Sequence, residues 1–400
     1  MTRHIPSGFN VGGVVRAADE EHRASTPLEL FFDLCFVVAV AQAAAGLHDL
    51  LAERRFSDAV IGFVAMFFAV WWAWVNVVWF SSGHDSDDVV HRLLTLVQMA
   101  GALILAAGAH DAMSDFNLTT TTVGYAVMRL GLVPLWIRVG RDHPDQRDRA
   151  DRFALTIVVL QALWFVRLAL PDGRSVALVS FGVGVVLELL APMWAERRAV
   201  RQQFNGDHLA ERFGLFTIIV LGEVVLSSTM AVREAVDADG VSVKLLVVAI
   251  SGLVIAFAVW WAYFARNDVP IFDRFNGAFV WGYAHLPIFG GLAAFGAGLH
   301  IAIGAVVGHG DHVPTQRLAA LAVTVPLAVG ATGFATVVAT SGSRHERPTA
   351  GILLATAGLL VLIGLTLSVK PAIVVTAIVV TIGTVAQGLL GRRTFETAPA

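Results

Sequence analysis

Long apolar stretches recur along the whole chain, and short polar segments separate them. Each stretch is close to the length of about 20 residues that a helix needs to cross a bilayer. The pattern predicts roughly twelve spanning helices and therefore an all-α integral membrane protein. We expect these helices near residues 28–48, 58–80, 92–110, 118–138, 153–170, 175–195, 210–231, 243–265, 276–304, 316–340, 350–369 and 371–391.

The composition supports a membrane protein and argues against several other classes. The 400 residues are 56% hydrophobic and 15% charged, with a mean hydropathy of +0.70, whereas soluble domains carry about 25% charged residues. The net charge is −3, so the chain lacks the excess of basic residues that is typical of nucleic-acid-binding proteins. The single cysteine, Cys35, provides neither an internal disulfide nor a cysteine metal cluster. The segment before Ser25 lacks an apolar core, so we expect no cleaved signal peptide.

The distribution of Lys and Arg predicts the orientation of the chain in the membrane. If the N-terminus lies inside, the predicted cytoplasmic segments hold 19 basic residues and the opposite segments hold eight, while Arg129 lies within a helix. Cytoplasmic loops of membrane proteins carry such an excess. We therefore expect an even number of crossings, with both termini in the cytoplasm and the chain in a bacterial inner membrane.

Two sequence similarities, in the same order in both halves, indicate an internal repeat. The run Phe-Ala-Val-Trp-Trp-Ala-Trp at 68–74 returns as Phe-Ala-Val-Trp-Trp-Ala-Tyr at 257–263, and Glu29 matches Glu211. Six helices per repeat would give both halves the same orientation. The predicted division is an N-terminal tail at 1–26, a first six-helix repeat at 27–200, a second at 201–393 and a C-terminal tail at 394–400.

The first predicted helix begins with two carboxylates, Glu29 and Asp33, one turn apart. Side chains at i and i+4 lie on the same helix face, and a charge at membrane depth normally faces protein or a water-filled cavity. Asp33 lies about 6 Å deeper than Glu29, at 1.5 Å per residue. Both are candidate transport or proton-site residues, although Glu29 also fits the role of an N-terminal helix cap.

Glu223 and His285 extend this candidate site into the second half of the chain. Glu223 lies about 18 Å into its predicted helix, near the bilayer midplane, where a carboxylate without a cation would bind a proton. His285 precedes Pro287 by two residues, and a proline inside a helix frees a backbone carbonyl. We expect Asp33 and Glu223 to face a shared cavity with His285 beside it, as in transporters built on interrupted helices.

Arg129 lies at the centre of the fourth predicted helix and cannot lose its charge. It needs a carboxylate partner, and the candidates are Glu188, Asp33 and Glu223, with Glu188 preferred. The pair of Arg129 and Glu188 is then either a structural ion pair or part of a substrate site. The sequence contains no evident phosphate loop, nucleophile elbow or metal-ligand cluster, so we expect no enzyme activity, no metal and no cofactor.

Two motifs are the most distinctive in the chain. They read Glu29-Leu30-Phe31-Phe32-Asp33-Leu34-Cys35-Phe36-Val37 and Glu211-Arg212-Phe213-Gly214-Leu215, the latter continued by Leu221-Gly222-Glu223. They resemble the signatures of the bacterial low-temperature-requirement A (LtrA) family, and the resemblance runs through both halves. It implies a multi-pass inner-membrane protein linked in name to growth in the cold, and it implies no particular molecular activity.

A second resemblance is to the potassium-leak channels of lysosomes and some bacteria. Those channels carry a Phe-Ser-Asp signature early on the first helix of a doubled six-helix unit. Phe32-Asp33 has this position, but the serine is absent, and Leu215 replaces the aspartate in the second copy. This resemblance implies an ion channel.

A transport function fits these observations best. The preferred interpretation is a secondary carrier of an unidentified small solute or ion, coupled to protons. The alternatives are an ion channel and a non-transport membrane protein linked to cold adaptation. The expected partners are the lipid bilayer and the small solute or ion. We expect no binding to nucleic acid. The chain could also form a homo-oligomer.

Overall fold

The computed structural model describes residues 25–84, 88–171, 173–197, 205–265, 275–308, 315–340 and 347–396. For residues 275–276 and 391–396 it describes the backbone alone. The predicted tails at 1–26 and 394–400 lie largely outside this part of the chain. The segment 198–204, around the predicted boundary between the two repeats, also lies outside it.

The described residues form α-helices joined by short connections, and no β-strand occurs among them, which confirms the all-α prediction for this part of the chain. A one-turn 3-10 helix, Pro144–Gln146, precedes α6. The α-helices are α1 Pro27–Ala52, α2 Phe56–Gly83, α3 Val89–Ala107, α4 Ala109–Ser114, α5 Thr119–Asp142, α6 Arg147–Leu168, α7 Arg174–Glu196, α8 Gly206–Asp239, α9 Val243–Phe264, α10 Phe275–Val307, α11 Gln316–Thr340, α12 Arg347–Thr366 and α13 Val369–Glu396.

Within the described residues, eleven helices are long and apolar enough to cross a membrane, so the protein is a multi-pass membrane protein. The exceptions are the six-residue α4 and the more polar α6. Helix α6 corresponds to the predicted span 153–170. Every 18-residue stretch of it contains Asp151 and Arg152 together with Arg149 or Arg167. The sequence pattern therefore predicts roughly twelve crossings, one more than the eleven described helices that are long and apolar enough to span a membrane.

Local sequence signals explain where several helices begin. At α1 the backbone N–H of Thr26 donates to the Glu29 carboxylate at 2.8 Å, and the Glu29 N–H donates to the Thr26 hydroxyl at 3.2 Å. This reciprocal pair is a capping box. Asp88 and Ser242 cap α3 and α9 with their side-chain oxygens. Helix α13 has Pro371 in its first turn, where proline does not cost a hydrogen bond.

The helices pack into two compact units. Unit 1 comprises residues 1–39 and 69–212, and unit 2 comprises residues 40–68 and 213–400. Helices α1, α2 and α8 each contribute one part to each unit. This grouping reflects packing and not sequence similarity, so the predicted six-helix repeats stay a prediction.

Aromatic stacking and a close glycine contact hold unit 1 together. Trp136 of α5 stacks on Phe153 of α6 with 4.3 Å between ring centroids. Helices α3 and α5 touch backbone to backbone, because a β carbon at Gly101 would lie 2.6 Å from the Met128 nitrogen, and one at Gly124 would lie 2.7 Å from the Gly101 oxygen. These contacts fix the faces that α5 turns toward α3 and α6.

In unit 2, α10 packs against α11 through a similar contact between glycines. A β carbon at Gly291 would lie 2.5 Å from the Pro326 carbonyl oxygen and 2.9 Å from the Gly330 nitrogen. On another face of α10, a β carbon at Gly296 would lie 3.2 Å from Val224 of α8. Small residues allow membrane helices to approach this closely, and α10 is thereby enclosed in its unit.

The two similar tryptophan-rich runs have different surroundings. Trp71 and Trp72 of the first run are at most 1% exposed, whereas Trp260 and Trp261 of the second are 50% and 58% exposed. Exposed tryptophan is common where a membrane protein meets lipid or the interface. Similar sequences at corresponding positions therefore serve as core in unit 1 and as surface in unit 2.

Candidate functional site

Asp33 of α1 forms a buried bidentate ion pair with Arg212 of α8, both in unit 1. The Arg212 Nε donates to Oδ2 at 2.8 Å and Nη2 donates to Oδ1 at 2.6 Å, and the Trp74 indole also donates to Oδ1, at 2.7 Å. Asp33 and Arg212 are each 1% exposed. Bidentate guanidinium–carboxylate pairs are strong and geometrically specific. Asp33 is therefore a fully engaged carboxylate in this structure.

Glu29 belongs to the same cluster. One of its oxygens lies 3.0 Å from Arg212 Nη1 and 3.1 Å from His208 Nε2, and the other caps the N-terminus of α1. His208 is fully buried and Glu29 is 6% exposed. Two carboxylates against one guanidinium give the cluster a net charge of −1 while His208 is neutral, and of zero when His208 is protonated. Glu29 is thus both a cap and a cluster member.

Arg212 and His208 were not predicted as partners of the acidic pair, because the sequence pattern indicated Arg212 only as one of the cytoplasmic charges. The available signal was its place directly after Glu211, the residue that matches Glu29 in the second half. Glu211 itself is exposed and accepts a hydrogen bond from the Ser25 N–H at 3.1 Å. The cation Arg212, and not the matched acid Glu211, therefore joins the cluster around Asp33.

A second buried carboxylate, Glu188 of α7, receives four donors in unit 1. Trp72 and Tyr125 donate at 2.8 Å, Trp164 donates at 3.0 Å, and Arg129 Nη2 donates at 3.3 Å. Glu188 has no exposed surface. The sequence-based analysis had preferred Glu188 as the partner of Arg129, and the two lie within ion-pair distance. It missed the three aromatic donors, since nothing in the pattern of an apolar helix shows which neighbour an indole or phenol will meet.

Glu223 of α8 differs from these carboxylates. It is 7% exposed, and its Oε2 is buried without a hydrogen-bond partner among the described residues. No ion pair holds it in this part of the chain. Glu223 belongs to unit 2 and Asp33 to unit 1, so the shared cavity predicted for these two residues stays a prediction.

His285 of α10 lies in an aromatic cluster of unit 2. Its Nδ1 is 2.8 Å from the Trp281 carbonyl oxygen and must carry the hydrogen there, so Nε2 accepts from the Tyr263 hydroxyl at 3.2 Å. This tautomer follows from the hydrogen-bond network. The ring of Phe213 lies 4.6 Å away, and His285 is 1% exposed. Both ring nitrogens are engaged. Pro287 lies inside the same helix, which is continuous from Phe275 to Val307, so the helix is not interrupted there.

A small cavity in unit 2 lies beside Tyr263. Its volume is about 70 Å³, and helices α9 to α13 line it, mainly with apolar side chains. The polar residues of the lining are Tyr263, Thr356, Thr384 and Gln387. The Gln387 Oε1 is buried without a hydrogen-bond partner among the described residues. Gln387 entered the sequence-based analysis only as a possible counterpart of Glu188, so this cavity is a feature that only the packing reveals.

The described residues contain no group of three or more His, Cys, Asp or Glu side chains placed to hold a metal ion. The buried carboxylates engage guanidinium, indole, phenol or backbone groups, except Glu223. The arrangement offers ion pairs, one unpaired carboxylate and a small cavity. These are the elements of binding and charge movement within a membrane protein.

Comparison with known proteins places the chain in a family. The family model described as "Bacterial low temperature requirement A protein (LtrA)" matches residues 24–386. The chain is also 27% identical over 288 residues to the uncharacterized protein RA0937 of Rhizobium meliloti (strain 1021), an alignment that covers 68% of each chain. The family match spans both distinctive motifs and nearly all the helices. The protein belongs to the bacterial LtrA family of low-temperature-requirement A proteins.

Proposed function

We propose that this LtrA-family protein is a secondary transporter that moves a small solute or ion across the bacterial inner membrane together with protons. Glu223 is the residue that takes up and releases the proton. The observation that carries the proposal is the buried Glu223 carboxylate in an apolar helix, with Oε2 unpaired among the described residues.

The surroundings of the other buried acids explain why we assign proton uptake and release to Glu223. Asp33 and Glu29 share the Arg212 guanidinium, and Glu188 receives four donors. Removing such carboxylates from their partners is costly, because each then becomes an uncompensated buried charge. A carboxylate without a cation instead binds a proton or an external cation when it is removed from water. Glu223 can change protonation without breaking an ion pair.

The remaining parts of the proposal come from the sequence. Both termini face the cytoplasm because of the excess of basic residues in the predicted cytoplasmic segments. A carrier of this kind needs no cofactor and catalyses no reaction. The part of α10 around Pro287 and the cavity beside Tyr263 are the regions of unit 2 that we assign to the solute path.

Proton movement in reconstituted vesicles tests the proposal. The protein is reconstituted into liposomes that contain a pH-sensitive dye, and small neutral, cationic and anionic solutes are added outside one at a time. A coupled carrier acidifies the lumen when its solute is added. Glu223→Gln keeps the shape of the protonated acid, so it should fold normally and reduce this acidification to the level of protein-free liposomes.

The matched control is Asp237→Asn on the same helix, because Asp237 is largely exposed and its side chain only approaches Arg233. This variant should acidify the lumen at the wild-type rate. The proposal is wrong if no solute moves protons in the wild type, or if Glu223→Gln acidifies the lumen normally. An ohmic current in planar bilayers that is insensitive to Glu223→Gln would favour the channel alternative.

A further inference from the structure

An open groove lies between α10 and α11 on the surface of unit 2, and its volume is about 450 Å³. We call it the lateral groove. None of its described lining residues belongs to the cavity beside Tyr263. The described residues that line it are Val280, Tyr283, Ala284 and Pro287 of α10 and Val329, Thr332, Gly333 and Thr336 of α11.

The two helices touch at the base of the lateral groove. A β carbon at Gly333 would lie 2.7 Å from the Ala284 carbonyl oxygen and 2.8 Å from the Pro287 Cγ. Val280 and Val329, in contrast, are each 45% exposed. The lateral groove is therefore a surface feature that direct helix contact closes from below.

The position of the lateral groove along the helices places it in one half of the bilayer. Helices α10 and α11 are both long and apolar enough to cross a membrane, so exposed apolar side chains on them face lipid. The lining residues extend over about two turns of each helix, or about 10 Å. They lie in the first half of α10 and the second half of α11. This length is less than half of the bilayer core, which is about 30 Å thick.

The lining of the lateral groove favours an apolar occupant. The described residues of the lining include no charged side chain. The Thr332 hydroxyl donates to the Ala328 carbonyl oxygen at 2.9 Å, and the Thr336 hydroxyl donates to the Thr332 carbonyl oxygen at 3.0 Å. Both hydroxyls are thus satisfied within α11. A polar occupant would lose its hydration here without gaining hydrogen bonds from these two threonines.

We propose that the lateral groove binds one acyl chain of a membrane phospholipid, from the leaflet in which α10 begins. A volume of about 450 Å³ over a length of about 10 Å gives a mean cross-section of about 45 Å². An α-helix that is about 10 Å across has a cross-section of about 80 Å². The lateral groove therefore fits an extended hydrocarbon chain and is too narrow for a helix of a second copy of the protein.

The bound chain would contact the turn of α10 that carries His285, because Ala284 and Pro287 line the lateral groove and flank His285 in the sequence. His285 itself is buried among the aromatic residues of unit 2. The lipid would thus stabilise this turn from the side opposite to the protein interior. The binding does not depend on the proposed transport of protons.

Photolabelling of the purified full-length protein tests the inference. Detergent washing removes native lipid, and the protein is titrated in micelles with a phosphatidylethanolamine that carries a photoreactive diazirine in one acyl chain. Mass spectrometry then locates the label. Labelling at Val280 and Val329 should saturate at about one lipid per protein. Labelling at Val254 of α9, which is 39% exposed and lies outside the lateral groove, should keep rising with the lipid concentration.

Thr332→Trp should fill the lateral groove and abolish the saturable labelling at Val280. Thr332 is exposed, so we expect the variant to fold. The matched control is Thr229→Trp on α8, because Thr229 is also exposed and its hydroxyl also donates within its own helix, to the Val225 carbonyl oxygen at 2.8 Å. This control should be labelled like the wild type.

Three results would overturn the inference. The first is labelling at Val280 that rises without saturation, as at Val254, which would make the lateral groove an ordinary lipid-exposed surface. The second is absence of labelling in the lateral groove of the wild type, and cross-links between chains there would assign it to a second copy. The third is wild-type labelling of folded Thr332→Trp. If this variant does not fold, the titration of the wild type decides alone.

Discussion

Two of the buried arginines of unit 1, Arg212 and Arg129, are held in different ways. Arg212 donates from two nitrogens to Asp33, and its Nη1 lies 3.0 Å from a Glu29 oxygen in an ion pair without a hydrogen bond. Arg129 uses one nitrogen, in a longer contact of 3.3 Å with Glu188, and its Nε and Nη1 have no partner among the described residues. Arg212 therefore forms a bidentate ion pair, whereas Arg129 makes a single, longer contact with its carboxylate.

Arg212→Ala should destabilise the protein strongly. It leaves Asp33 and Glu29 as uncompensated buried charges, and breaking a buried pair in this way typically costs about 3–5 kcal/mol. Arg212→Lys should recover only part of this loss, because an ammonium cannot form the bidentate contact. The free energy of unfolding, measured in mixed detergent micelles, checks both expectations.

Arg233→Ala is the control for Arg212→Ala. Arg233 lies on the same helix, is 83% exposed and approaches Asp237 at 3.6 Å. Exposed pairs of this kind contribute about 0–1 kcal/mol, so the control should unfold like the wild type. If Arg212→Ala is as stable as Arg233→Ala, the cluster around Asp33 is not a structural ion pair.

At the scale of the element, the contact between α3 and α5 depends on glycines. The two backbones approach so closely at Gly101 and Gly124 that an added methyl group overlaps the opposing main chain. The same contact places Gln98 beside Gly131. A change at this contact should therefore affect the stability of unit 1.

Gly124→Ala should destabilise the protein by about 1–3 kcal/mol, the usual cost of overpacking. The helices must separate, because the atoms opposite Gly124 belong to the backbone and cannot rotate away. Gly182→Ala on α7 is the control, since nothing lies within 4 Å of the added methyl group. It should stabilise the helix by up to about 1 kcal/mol. Equal unfolding free energies for the two variants would contradict this account of the contact.

At the scale of the whole molecule, the open point is whether α6 crosses the membrane. Helix α6 has a higher proportion of charged residues than any of the eleven candidate spans, yet its apolar face packs in unit 1 against α5. Charged residues are tolerated in spanning helices where they face protein. With α6 the chain crosses twelve times and both termini face the same side. Without it the count is eleven and the termini face opposite sides.

We expect α6 to cross the membrane and both termini to face the cytoplasm. A fluorescent reporter that matures only in the cytoplasm should therefore be bright when fused after Ala400, and a phosphatase that is active only in the periplasm should be inactive there. Fusion after Gly308, which follows α10, is the internal control and should give the reverse pattern. Phosphatase activity after Ala400 would contradict either the orientation or the even number of crossings.

The sequence by itself determined the helices, many of their ends and the family. A helix in lipid satisfies its backbone internally, so a run of about 20 apolar residues predicts a span without knowledge of its neighbours. The capping box of Thr26 and Glu29 and the proline at the start of α13 are equally local. Glu29, Asp33, Arg129, Glu188, Glu223 and His285 were recognisable as candidates because polar groups in such runs are rare.

Only the tertiary structure decided which of these residues meet and what surrounds them. Asp33 and Arg212 are 179 residues apart in the chain, and Trp72 and Glu188 are 116 apart. Helices in lipid are apolar on both their packed and their exposed faces, so the pattern carries no stripe that identifies the partner helix. The same reason hid the three aromatic donors around Glu188, because an indole or phenol in an apolar helix has the same sequence pattern whichever neighbour it meets.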